Sequence, residues 1–100
     1  MARFDAYKRR SGRELLLVCQ SDLLDHLSTR FVLPLIPKVD AKGPPASRLN
    51  PTFVVDGQEY VLATNLAATV PVTELALKIA SLDQHGDAII QAIDSLISGP

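Results

Sequence analysis

Residues 14–37 read ELLLVCQSDLLDHLSTRFVLPLIP, and the order of segments in this stretch decides the fold. Glu14 to Gln20 is a continuous apolar run bounded by polar residues, the pattern of a β-strand buried on both faces. Phe31 to Pro37 is a second β-type apolar run. Pro34 has no N–H to give to a ladder, so it is expected at a sheet edge or a bulge. The polar loop between the two runs carries an apolar pair, Leu23 and Leu24, set between Asp22 and Asp25. Apolar surface left in water forgoes roughly 25 cal/mol per Å² of burial, so such a pair asks for a partner.

Working outward, Arg3 to Tyr7 is a short alternating segment, read as an edge strand. The charged turn Lys8 to Gly12 joins it to the Glu14 run as a hairpin. Lys38 to Arg48 contains Gly43-Pro44-Pro45 and reads as a loop. Thr52 to Val55 and Glu59 to Ala63 flank Asp56-Gly57, the chemistry of a tight hairpin turn. A short strand is expected near Thr69 to Val72. Thr73 to Ala80 admits two readings. It is a helical turn capped by Thr73 with Leu75, Ile79 and Leu82 inward, or an extension of the strand. Asp83 to Ile97 is a helix: Ile89, Ile90, Ile93, Leu96 and Ile97 recur at helical spacing, Asp83 or Gly86-Asp87 starts it, and Gly99-Pro100 ends it. The fold class is therefore mainly β with one C-terminal α-helix, an antiparallel barrel-like sheet carrying a helix.

The chain has 100 residues, which makes a single domain over residues 1–100 with a modest core. Yet 47% of its residues are apolar, an excess that a homodimer interface would absorb. The net charge of −1 gives no global basic field for nucleic acid. The single cysteine, Cys19, cannot form an internal disulfide, which suits a reducing cytoplasm. No apolar run is long enough to cross a membrane, and the N-terminus lacks a signal-type apolar stretch.

Catalytic and metal chemistry finds little support. Cys19, His26 and His85 are scattered without ligand spacing. Ser21, His26 and Asp22 form a triad only on paper, with no nucleophile elbow. Asp22 and Asp25 suit turn capping better than acid–base work. None of the dispersed glycines precedes Lys-Ser/Thr, so there is no phosphate loop. Nothing asks for a cofactor. One charged feature stands out: Lys8, Arg9, Arg10 and Arg13 fall within one short segment. They form either a solvated turn or a seat for an acidic partner.

The chain resembles the CcdB toxins of bacterial toxin–antitoxin pairs. Gln20-Ser21-Asp22, the leucine pair, Asp25, and then Arg30-x-Val32-Leu33-Pro34-Leu35 match that family in order and spacing. So do Tyr7-Lys8-Arg9, Leu49-x-Pro51, Val70-Pro71-Val72, Ala92-Ile93 and Gly99. The resemblance implies an SH3-like barrel of the CcdB/MazF type, a homodimer, and inhibition of DNA gyrase through its A subunit by binding rather than catalysis. It implies neutralisation by a CcdA-like antitoxin with an acidic tail, and contact with operator DNA only through the antitoxin complex. The matched gyrase-facing positions are Leu23, Leu24, Asp94, Ile97, Ser98, Gly99 and Pro100; Ile97 also reads as simple helix packing. The antitoxin-facing positions are Lys8 and Arg9, extended here by Arg10 and Arg13. Family members end in Trp-Gly-Ile. This chain has Ser98 at the Trp position and Pro100 at the Ile position, and Asp94 where Asn is common. A weakened homologue that keeps antitoxin binding and operon autorepression is the alternative. A MazF-like endoribonuclease is another, although the Gly-x-Glu-Gln-x-x-x-Arg-Pro string of that family is absent.

Overall fold

The computed structural model describes residues 1–43 and 47–99. Part of the expected Gly43-Pro44-Pro45 loop, and the expected target-facing Pro100, lie outside the described residues. Among the described residues seven strands form one antiparallel, barrel-like sheet: β1 (Asp5–Arg9), β2 (Leu15–Val18), β3 (Thr29–Pro37), β4 (Thr52–Val55), β5 (Gln58–Leu62), β6 (Ala68–Pro71) and β7 (Leu75–Ser81). The strand order is β4-β5-β3-β2-β1-β7, with β6 beside the first half of β3. Among the described residues one α-helix, α1 (Gly86–Ser98), follows the sheet.

The run from Leu15 to Val18 is buried throughout, because its alternate side chains feed two cores. Leu15 and Leu17 join Leu33, Leu35, Leu62 and Ile89 in the larger cluster. Leu16 and Val18 join Tyr7, Val32 and Leu75 in the smaller one on the other face. The helix covers the larger core with Ile89 and Ala92, both fully buried. Burying an isoleucine side chain contributes roughly 1.5–3 kcal/mol, so this face holds the helix on the sheet.

Pro34 sits neither at an edge strand nor at a bulge. The first half of β3 pairs with β6 through Thr29 to Val32, and the second half pairs with β5 from Leu35 onward. Pro34 falls in the handover between the two, where that side of β3 has no strand partner and the missing N–H forfeits no ladder bond. Its carbonyl is used, accepting from the Ala63 N–H at 2.8 Å.

The N-terminal segment is not an edge strand, because β1 lies between β2 and β7. The segment after Thr73 therefore resolves as a strand, preceded by a 3-10 turn over Val72–Glu74. Irregularities at Ala6/Tyr7 and Lys8/Arg9 interrupt the β1–β7 register, and such bulges bend a strand around a barrel. The Asp56-Gly57 turn has both central residues at positive φ, 56° and 79°, the type I′ geometry that matches strand twist.

Phe4 ties the start of the chain to the start of the helix. Its N–H donates to the Val18 carbonyl at 2.6 Å, and its carbonyl accepts from Leu82 at 2.8 Å. Those bonds hold it at φ 71°, a costly conformation for an aromatic residue. Its ring lies over Gly86, where an added Cβ would come within 3.0 Å of it.

Thr64 is fully buried, and its hydroxyl has no hydrogen-bond partner among the described residues. Thr64→Val keeps the shape and removes the orphan group. It is expected to stabilise the chain by about 1 kcal/mol, read as a rise of roughly 4–8 °C in the thermal midpoint. A lower midpoint would show that the hydroxyl is bonded in solution.

Candidate functional site

The loop from β2 to β3 presents its leucines outward. A 3-10 turn spans Asp22–Leu24; the Ser21 hydroxyl accepts the Leu23 N–H at 3.2 Å, and Asp22 Oδ1 accepts the Arg3 N–H at 2.7 Å. Leu23 is 86% exposed, Leu24 44% and Leu27 41%. Leu27 is a third apolar member that the sequence reading missed; its spacing from Leu23, in a loop otherwise polar, was the available signal.

Two further side chains fasten this loop. Arg30 is only 7% exposed. Its Nη1 donates to the carbonyls of Leu27 and Thr29, and its Nη2 donates to that of Asp25. Gln20 Nε2 donates to the Leu24 carbonyl at 3.1 Å, while its Oε1 accepts the Phe31 N–H at 3.0 Å.

The other expected target-facing residues stand at the end of α1. Ile97 is 76% exposed, and Asp94, Ser98 and Gly99 are exposed with it. The helix ends at Gly99, whose N–H donates to the Ser95 carbonyl at 3.1 Å. A polar cleft of about 420 Å³ runs beside this tip, lined by Arg48, Gln91, Asp94, Ser95, Ser98 and Gly99. The last turn of the helix has no basic residue of its own. Arg48, which sequence reading did not single out, brings a cation to a helix end made negative by its free carbonyls and Asp94.

One chain does not join the two halves of this surface. Asp22 shares a cleft with Ser81 and Asp83, which lead into the helix. Ile97 lies at the far end of the 13-residue α1, roughly 20 Å along its axis.

The basic residues are mostly occupied. Arg9 Nη1 lies 2.6 Å from Glu14 and its Nη2 3.5 Å from Glu74. Backbone N–H donation, together with Arg9, holds the Glu14 carboxyl below the usual range against its partial burial. Arg10 Nε donates to the Thr73 carbonyl at 2.7 Å, and Arg13 lies 3.4 Å from Asp40. Lys8 is exposed on β1. The arginines thus brace β1 and its turn against the 3-10 turn before β7 and the loop after β3.

The candidate nucleophiles and ligands are dispersed. Burial pushes the Cys19 thiol up to about 12, which leaves it protonated and unreactive near neutrality. The His85 ring packs on Phe53, with centroids 4.8 Å apart. His26 is exposed in the loop. Among the described residues no group of three potential metal ligands comes together, and no helix is long and apolar enough to cross a membrane.

The exposed leucine loop, the barrel-like sheet and the terminal helix now have a family context. A family model for CcdB protein matches residues 3–99. The chain belongs to the CcdB family. CcdB proteins are toxins of toxin–antitoxin pairs. Solved structures share the fold at low identity. One is an endoribonuclease in complex with its cognate antitoxin from a mycobacterial species, at TM-score 0.78 and 13% identity, covering 100% of this chain and 97% of that one. Another is the Mycobacterium tuberculosis toxin MazF-mt6, at TM-score 0.75 and 17% identity, covering 95% and 96%. At such identities these likenesses show the fold alone.

Proposed function

We propose that this CcdB-family chain is a cytoplasmic toxin subunit that binds the A subunit of DNA gyrase without catalysing a reaction. The observation that carries the reading is the leucine loop: Leu23 stands 86% exposed, at a position the resemblance assigns to a target-facing pair. Folding does not use that side chain, so its place in the chain is explained by what it meets outside. Leu23, Leu24, Asp94, Ile97, Ser98, Gly99 and Pro100 are the proposed contact set. A homodimer, which the apolar excess also favours, would multiply these contacts. Surface plasmon resonance of the purified chain against the gyrase A subunit tests the reading, with light scattering for the dimer. Saturable binding and twice the chain mass are expected. No binding at any accessible concentration, or cleavage of RNA by the chain alone, would overturn it, the latter in favour of a MazF-like ribonuclease.

Ser98 favours a graded version of this reading: a homologue that binds gyrase weakly yet keeps its antitoxin and, through that complex, its operator. The proposed antitoxin is CcdA-like, with an acidic segment drawn to Lys8, Arg9, Arg10 and Arg13. Arg9 and Arg13 already hold carboxylates, so Lys8 and Arg10 carry the charge most open to a partner. Lys8→Ser with Arg10→Ser is expected to slow capture of an acidic CcdA-like peptide by about tenfold at low salt, and less as salt screens the encounter. Arg9→Ser should instead lower the thermal midpoint by releasing Glu14 and Glu74. Unchanged capture by the double variant at low salt would return this turn to a solvated brace.

A further inference from the structure

The leucine loop has little to hold it in shape. Its own backbone bonds are confined to short-range turns: Leu24 N–H to Ser21, Asp25 N–H to Asp22, and Leu27 N–H to Leu24, each at 3.0–3.2 Å. Leu23 points to solvent, and Leu24 and Leu27 are only a little over half buried, so apolar packing on the loop is thin. A segment of this kind opens readily unless something outside it fixes its backbone.

Asp22 ties the start of the loop to the Arg3 N–H, and Arg30 and Gln20 fix the rest. The carbonyls of Asp25, Leu27 and Thr29 converge on one buried guanidinium. No carboxylate lies within ion-pair distance of that guanidinium among the described residues, so its bonds are spent on the loop backbone. Gln20 adds a bond to the Leu24 carbonyl and is itself anchored to β3 through Phe31. With these carbonyls drawn inward, Leu23, Leu24 and Leu27 face outward together. A planar fork can reach several carbonyls at once; a lysine ammonium offers a single point of charge on a flexible stem.

We infer that Arg30 and Gln20 are positioning residues that hold the leucine loop in its docking shape before the partner arrives. The inference rests on the gyrase reading for its partner, but not for its geometry. Apparent affinity falls in proportion to the fraction of molecules whose loop is competent. Loosening the loop should therefore slow association and leave dissociation little changed, because the leucine contacts in the complex are the same.

The test uses the full chain with Gln20→Ala, Arg30→Lys and Arg30→Ala. Hydrogen exchange reads the amides of Leu24, Asp25 and Leu27, with those of β2 and β3 as internal controls, and surface plasmon resonance reads binding to the gyrase A subunit. Each variant is expected to speed exchange in the loop while the strands stay protected, and to reduce the association rate by about tenfold for a tenfold loss of competent molecules. Millimolar methylguanidinium should slow loop exchange in Arg30→Ala, which a general loss of stability would not allow. Gln20 is at the loop's border, so its variant keeps the test open if the Arg30 variants do not fold. Native-like loop exchange in the folded variants would overturn the inference, as would a loosened loop that associates at the native rate. If the native chain gives no gyrase signal, the gyrase reading falls by itself, and loop exchange with its methylguanidinium rescue still decides whether these residues hold the loop.

Discussion

Ser98→Trp combined with Pro100→Ile is expected to raise the yield of cleaved gyrase–DNA complex sharply over the native chain at limiting concentration. The resemblance assigns Trp and Ile to those positions in toxins that poison gyrase. Ser98 is the last helical residue and is exposed. A Cβ at its neighbour Gly99 would meet nothing within 4 Å, so there is open space at the tip. A larger side chain there should change the isolated fold little, and its effect should appear on binding. An aromatic anchor that becomes desolvated at an interface carries on the order of 2–3 kcal/mol, which corresponds to about 30- to 150-fold in affinity. A symmetric dimer that engages both tips would compound the gain. The native chain should accordingly poison weakly, or not at all, a gyrase sensitive to Trp-tailed relatives. Strong poisoning by the native chain at concentrations where those relatives act would show instead that the leucine loop and Ile97 suffice.

What was legible in the sequence, and what was not, divides along one physical line. Local pattern was readable. The Glu14 run named a strand buried on both faces, Asp56-Gly57 named its turn, and the isoleucine spacing named the helix that Ile89 and Ala92 now dock. Non-local pairing was not. The segment before Lys8 looked like an edge because it is short and alternating, yet β7, about 70 residues later, pairs with it. β7 was itself ambiguous, since its bulged pairing leaves Leu77 exposed and breaks the alternation that marks a strand.

The same line runs through the candidate site. The basic residues looked like one patch because they are adjacent in sequence. Their partners Glu74 and Asp40 lie far along the chain, and no spacing rule connects them. Arg30 entered the sequence reading only as one letter of a matched motif. A guanidinium spent on backbone carbonyls leaves no trace in the identities of the residues it holds. Arg48 escaped for a related reason: only the fold brings it beside the helix tip.

The leucine pair offers the cleanest separation of folding from binding. Leu23→Ala with Leu24→Ala is expected to lower the thermal midpoint only modestly, because Leu23 is 86% exposed and Leu24 a little over half buried. Fully burying a leucine contributes roughly 1.5–3 kcal/mol. Scaled by the exposed fractions, the lower figure leaves about 2 kcal/mol to be gained on docking the pair, so the double variant is expected to weaken binding to the gyrase A subunit about thirtyfold. Affinity unchanged by the double variant would remove this loop from the contact surface and leave the helix tip to carry it. Adding Ile97→Ala then asks how the two halves work together. Within one chain the loop borders the start of α1 and Ile97 stands near its end, too far apart to touch. Sites so separated lose affinity additively to within about 0.5 kcal/mol. A larger coupling between the leucine pair and Ile97 would mean that assembly brings one protomer's helix tip against its partner's loop.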